Sequence, residues 1–192
     1  KKGAQLGFTE IEVLRTLHGL IHGQYPKGVL YLFPTSDDCS DFSKARFGPL
    51  IRSNPDTIGR FVRSTDSTNI KQIGTGFLYL RGARLTANIE GAKRDSSKLR
   101  SIPVDRVLFD ERDLMANNAI EMALERMSHS DVREQVEFST PTVPGYGIDL
   151  AYEASGQGLW MIKCRHCGKE TCLEVEFPNC VKDGKRVCIH CG

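Results

Sequence analysis

The segment Val104-Asp105-Arg106-Val107-Leu108-Phe109-Asp110-Glu111, an apolar run that ends in two adjacent carboxylates, constrains the fold more than any other stretch. Short apolar runs of this kind are strands buried on both faces, as in a parallel sheet. Acids at the carboxyl end of such a strand lie at the sheet edge where open α/β folds bind their ligands. In nucleotide-hydrolysing enzymes of this class an acid that ends such a strand holds the nucleotide's magnesium, and a carboxylate beside it could orient or deprotonate the attacking water. The bland alternative is a strand that runs into a solvated acidic turn. The rest of the chain has to decide between them.

Helical and strand patterns alternate along the sequence. Residues 9–22 carry Ile11, Leu14, Leu17, Leu20 and Ile21 as a helical apolar stripe, closed by Gly23 and Pro26. Val29-Leu30-Tyr31-Leu32-Phe33 predicts a strand, and Pro34-Thr35-Ser36-Asp37-Asp38 a turn with a helix cap. A mixed helix is expected over 41–51 and a shorter one from about 56. Residues 72–81 read as a hairpin or two short strands around Gly74-Thr75-Gly76. A helical turn within 94–100 is expected before the acidic strand. A helix over 117–128 and a strand over 132–138 follow, with Ser139-Thr140-Pro141-Thr142 directly after. The alternation predicts a parallel α/β domain.

With 40% hydrophobic and 26% charged residues, the composition is that of a soluble globular protein, not a disordered or fibrous one. No apolar run approaches the roughly 18 residues of a membrane helix, and no signal peptide is visible, so no membrane partner is expected. The chain opens on Lys1-Lys2-Gly3 instead of Met, as a fragment or processed product would. A net charge of +2 neither demands nor excludes a nucleic-acid partner.

Seven cysteines, four of them in two Cys-x-x-Cys pairs, point to a metal site in a reducing compartment and away from a secreted disulfide framework. Cys164-Arg165-His166-Cys167 and Cys188-Ile189-His190-Cys191 are 20 residues apart, within the spacing of a two-knuckle zinc site. Four thiolates would close a tetrahedral structural site with no position left for water. Redox-active or merely buried cysteines are the alternative. Cys172, Cys180, His166 and His190 are possible substitutes as ligands, and Cys39 reads as an isolated thiol.

The start of the chain resembles an altered phosphate-binding loop. The standard form reads G-x-x-x-x-G-K-[ST]. Lys2-Gly3-Ala4-Gln5-Leu6-Gly7-Phe8-Thr9 keeps the second glycine and the hydroxyl before a helix, but Phe8 stands where the lysine belongs and Lys2 where the first glycine belongs. Backbone N–H groups and a helix N-terminus can cradle phosphates whatever the side chains are. A plain glycine-containing helix start is the other reading.

Together these stretches resemble the large terminase subunits of tailed phages, in the lambda-type GpA branch. Lys2 to Glu10 is similar to that family's deviant Walker A loop, with its lysine at the start and an aromatic before the hydroxyl. Leu32-Phe33-Pro34-Thr35 resembles the segment after its second strand. Leu99-Arg100-Ser101 leading to Val107-Leu108-Phe109-Asp110-Glu111, with Asp113, resembles its Walker B region. Ser139-Thr140-Pro141-Thr142 resembles its coupling motif, and the cysteine pairs its zinc ribbon.

The resemblance implies a P-loop NTPase-type parallel sheet flanked by helices, with a small C-terminal zinc ribbon. It implies an ATP-hydrolysing motor that drives double-stranded DNA into a procapsid. Lys2 would contact the β/γ-phosphates within the nucleotide-binding loop Lys2, Gly3, Ala4, Gln5, Leu6, Gly7, Phe8 and Thr9. Thr9 and Asp110 would hold Mg2+, and Glu111 would be the catalytic carboxylate. Ser139, Thr140 and Thr142 would couple hydrolysis to movement, and Cys164, Cys167, Cys188 and Cys191 would hold Zn2+. The expected domains are 1–158, an ATPase domain that begins at the P-loop with its preceding strand upstream, and 159–192, the ribbon. The family's nuclease domain is not expected within these residues. Implied partners are the portal and procapsid, the small terminase subunit and further copies in a ring, in the host cytoplasm of a phage or prophage.

Arg46, Arg60, Arg63 and Arg100 are candidates for a positive group at the nucleotide. Between Arg81 and Arg106 seven basic residues face three acidic ones, an excess that suits DNA phosphates or a solvated face. Two other functions stay open. One is a zinc-ribbon nucleic-acid-binding module with a degenerate nucleotide site, and the other a helicase or translocase.

Overall fold

The structure, a computed structural model, describes residues 7–83 and 102–192. The chain divides into two units, Lys1–Ala151 and Tyr152–Gly192. In the first, helix α1 (Phe8–Ile21) leads into β1 (Val29–Phe33). Helix α2 (Ser36–Phe42), a π-helical segment Ser43–Phe47 and α3 (Gly48–Ser53) follow without a break. Strands β2 (Val62–Asp66), β3 (Ile70–Ile73) and β4 (Gly76–Gly82) come next, then β5 (Arg106–Asp110), helix α4 (Asn117–Leu124), β6 (Glu134–Phe138) and α5 (Ile148–Glu153).

These strands form one sheet in the order β2-β3-β4-β1-β5-β6. β4, β1, β5 and β6 run parallel, and β3 and β2 extend the sheet antiparallel. The two central strands, β1 and β5, are buried at every position, which is why both read as unbroken apolar runs. Their side chains alternate between two cores. Val29, Tyr31 and Phe33 pack with Val13, Leu17 and Leu20 of α1 and with Phe47, whereas Leu30, Leu32, Val107 and Phe109 pack with Ala119, Ile120 and Ala123 of α4. Helices therefore cover both faces, the α/β class expected.

Arg106 opens β5 as the exception in an apolar strand, and it is fully buried. Its guanidinium pairs with Glu12 of α1, lies 3.2 Å from Glu134 of β6 and donates to Thr16 Oγ1 at 2.8 Å. Arg106 thus ties α1, β5 and β6 together inside the protein, and it is unavailable to the basic surface that the sequence suggested. Removing one partner of a buried pair leaves the other charge uncompensated. Arg106→Ala is expected to lower the free energy of urea unfolding by about 3–5 kcal/mol.

Several elements differ from their sequence outline. The helix expected over 41–51 starts earlier, at Ser36, because Thr35 and Asp38 form a capping box. Asp38 N–H donates to Thr35 Oγ1, and Thr35 N–H donates to Asp38 Oδ2, both at 3.1 Å. In place of a helix from residue 56 there is a single 3-10 turn, Gly59–Phe61, and then β2. The strand near 132 starts only at Glu134, since Arg133 has φ 48 and interrupts extended backbone. The turn expected within 94–100 lies outside the described residues.

In the second unit β7 (Met161–Lys163) pairs antiparallel with β8 (Glu170–Cys172), and helix α6 (Leu173–Glu176) follows. β9 (Val181–Lys182) pairs with β10 (Lys185–Arg186). Each Cys-x-x-Cys turn closes the same way: Gly168 N–H donates to Cys164 O at 3.0 Å and Gly192 N–H to Cys188 O at 2.9 Å. Both glycines have positive φ, 72 and 89, where a Cβ would be strained.

Candidate nucleotide and metal sites

Because β1, β4, β5 and β6 are parallel, Phe33, Gly82, Asp110 and Phe138 end at one edge of the sheet. A cleft of about 440 Å³ opens there, lined by Thr9, Asp38, Asp41, Arg46, Asp110 and Glu111 among others. Thr9 comes from the first turn of α1, whose N-cap, Gly7, has φ 77 and offers no side-chain cap. The first N–H groups and the dipole of a helix end favour an anion. Phe8 is 42% exposed. Lys2, Gly3, Ala4, Gln5 and Leu6 lie outside the described residues.

Asp110, the last residue of β5, is buried and accepts a hydrogen bond from the Tyr31 hydroxyl at 3.3 Å. Burial, and then the neighbouring Asp110 carboxylate, push the Tyr31 hydroxyl well above the ordinary phenol range, so it stays a protonated donor. Glu111 follows in the left-handed region, with φ 57 and ψ 55. A non-glycine residue held there costs on the order of 1–3 kcal/mol, and such strain concentrates at functional sites. It turns the chain so that Glu111 lines the cleft beside Asp110.

The segment after β6 reaches this turn through Ser139, whose buried hydroxyl lies 3.2 Å from Glu111 Oε2 and 3.1 Å from Thr140 O. A hydroxyl has one proton to give, so Ser139 donates to one of these oxygens at a time. Thr140 is itself exposed, and Thr142 binds Asp113 instead of Glu111. Of the candidate coupling residues, Ser139 meets Glu111 and Thr142 meets Asp113.

Among the four candidate arginines, Arg46 lines the cleft, where it pairs with Glu10. Arg60 stacks on Phe61 at 4.7 Å, Arg63 lies on β2, and Arg100 is outside the described residues. Arg81 is half-buried, donating to Asn69 O at 2.7 Å and lying over the Tyr79 ring. Sequence reasoning missed the buried contacts of Tyr31 and Asp113. Tyr31 left one usable signal, a hydroxyl in an otherwise apolar buried strand.

In the second unit the Sγ atoms of Cys164, Cys167, Cys188 and Cys191 all lie within 4.8 Å of one another. Cys164 and Cys191 are 3.8 Å apart, and Cys167 and Cys188 3.7 Å. A tetrahedron with zinc–sulfur bonds of about 2.3 Å has edges of about 3.8 Å, so the donor set fits zinc. The His190 amide N–H, 3.4 Å from Cys188 Sγ, is the chief reason that this thiol is lowered to about 6. Backbone N–H groups of Cys167 and His166 lower Cys164. Cys191 is pushed up to about 12, first by its hydrogen bond to Cys167. Four sulfurs this close cannot all ionise without a cation to share. Cys172 and Cys180 are buried outside the cluster, and His166 and His190 are not part of it. Among the described residues no helix is long and apolar enough to cross a membrane.

The family model for the ATPase domain of phage terminase large subunit gpA matches residues 1–192. No curated protein matches the chain.

Proposed function

As a member of the family of phage terminase large subunit gpA ATPase domains, this chain is, we propose, the ATP-hydrolysing motor portion of a large terminase that moves double-stranded DNA into a procapsid. One observation carries the reading: Thr9, Asp110 and Glu111, which come from α1, β5 and the turn after it, line one cleft at the carboxyl edge of the sheet. In this reading residues 1–158 are the ATPase domain and 159–192 a zinc ribbon held by Cys164, Cys167, Cys188 and Cys191.

The N-terminal turn of α1, with the loop from Lys2 to Thr9, receives the phosphates of ATP. Thr9 Oγ1 and the Asp110 carboxylate are hard oxygen donors suited to magnesium, which when bound neutralises charge on the phosphate oxygens. Tyr31 holds the Asp110 carboxylate in place from beneath. Glu111 orients the attacking water and takes up its proton. Ser139, Thr140 and Thr142 report the state of the γ-phosphate to the rest of the motor. The partners are duplex DNA, the portal of the procapsid, the small terminase subunit and further copies in a ring, in the host cytoplasm.

Magnesium-dependent ATP hydrolysis by the full-length subunit, with and without duplex DNA, tests this reading. Asp110→Asn, nearly the same size, is expected to lower turnover by about 100-fold and to raise the magnesium requirement, since metal-held oxygens supply several kcal/mol. ATP that is neither bound nor hydrolysed by protein that still binds duplex DNA would replace the motor with a zinc-ribbon nucleic-acid-binding module. Strand separation fuelled by ATP would make it a helicase.

A further inference from the structure

The turn that carries Glu111 is fastened to β6 and the segment after it at three consecutive residues. Ser139 Oγ meets Glu111 Oε2, and Arg112 Nε lies 3.1 Å from Glu137 Oε2 with both side chains largely buried. Asp113 N–H donates to Ser139 Oγ at 3.3 Å. Asp113 is the hub of the arrangement. Its Oδ2 accepts from the Thr142 amide at 2.9 Å and the Thr142 hydroxyl at 3.0 Å, and its Oδ1 accepts from the Ile148 amide at 2.7 Å. The carboxylate is closely packed as well, since a Cβ on Gly147 would lie 2.3 Å from Asp113 Oδ1.

Asp113 is 8% exposed and is not among the residues that line the cleft of Thr9, Asp110 and Glu111. It therefore acts through other residues and not on nucleotide. A buried carboxylate that loses its donors bears the full cost of desolvation. The segment from Ser139 to Ile148 cannot leave the Glu111 turn without stripping Asp113 of three donors, and those bonds are of the strong, charge-assisted kind.

We infer that Asp113 is a positioning residue that makes the Glu111 turn and the 139–148 segment move as one body. A displacement of the segment is passed to the Glu111 carboxylate, and a displacement of Glu111 by nucleotide is passed outward to Thr142 and Ile148. The single proton of Ser139 can go to Glu111 Oε2 or to Thr140 O, so the contact between this segment and Glu111 can be made or released by a hydroxyl rotation. The inference rests on the proposed role of Glu111 as the catalytic carboxylate.

Asp113→Asn retains the shape but sets an amide NH2 against one of the donor groups. In the full-length subunit it is expected to lower kcat by about 10- to 100-fold, the scale that misplacement of a catalytic group produces. KM for ATP stays within about twofold, and stimulation by duplex DNA is lost, which a merely structural residue would not cause. Thr142→Val removes one hydroxyl donor at an exposed position and keeps the amide, so the fold is retained. It is expected to lower kcat less, with the loss non-additive to that of Asp113→Asn.

Unchanged kcat and unchanged DNA stimulation in folded Asp113→Asn, or in Thr142→Val should the former not fold, overturns the inference. Fully additive losses overturn it too. Glu111→Gln separates the levels. If that variant is inactive while Asp113→Asn is normal, only the positioning role fails. If Glu111→Gln hydrolyses normally, the reading beneath it fails.

Discussion

Glu111→Gln is expected to lower turnover of magnesium-ATP by about 10²–10⁴-fold, the range over which a positioned base acts. ATP binding should stay within a few-fold of the parent. The exchange replaces one oxygen by nitrogen and keeps the length of the side chain, so the left-handed turn and the contact with Ser139 need not change. What is lost is the charge and the basic lone pair that a water in the cleft would meet. Asp110 and Thr9, the proposed magnesium residues, remain in place, which is why binding survives. Nucleotide binding to the variant, measured beside single-turnover hydrolysis, separates the two effects. Hydrolysis within twofold of the parent would remove Glu111 from the chemistry and leave its contact with Ser139 a structural one.

The elements most legible in the sequence are those whose burial is complete. β1 and β5 lie between two layers of helices, and an unbroken apolar run is the direct imprint of that position. The clustering of the cysteine pairs was legible because two Cys-x-x-Cys turns at this spacing can bring four thiols together, as Cys164, Cys167, Cys188 and Cys191 are. The resemblance to gpA-type large terminases rested on loosely spaced motifs, and the family match over residues 1–192 bears it out. β2 was invisible because it is an edge strand with four of its five residues exposed, so burial imposes no period on Val62-Arg63-Ser64-Thr65-Asp66.

Arg106 was misread for the opposite reason. An arginine in a basic stretch gives no sign that Glu12 and Glu134, far away in sequence, will enclose it. Asp113 is a similar case, since an acid two residues after Glu111 reads as belonging to the same turn. Its partners Thr142 and Ile148 are supplied only by the parallel pairing of β5 with β6. Residues whose role depends on contacts across elements are where sequence reading stops.

Removal of the metal from the second unit is expected to unfold it while the α/β unit keeps its own cooperative transition. Both apolar cores, around β1 and β5, are built from residues of the first unit alone. In the second unit the described core is thin. Cys172, Thr171 and Cys180 are buried, but Trp160 is 82% and Phe177 70% exposed. Modules this small seldom hold together on burial alone. A four-thiolate zinc site supplies on the order of 10–16 kcal/mol at neutral pH, more than such a core can. One zinc per chain is therefore expected, and a strong chelator should abolish hydrogen-exchange protection at Cys164, Gly168 and Gly192. The amides of these residues close the two knuckles by donating to Lys169 O, Cys164 O and Cys188 O. Protection in β1 and β5 should persist. Cys188→Ser should act like the chelator, since a serine hydroxyl is a poor replacement for a thiolate. Loss of the metal should also become easier as pH falls, because protons compete for the four sulfurs. Protein that contains no zinc yet keeps full protection at both knuckles would mean that hydrogen bonds alone hold the turns, and the metal would have no role in folding this unit.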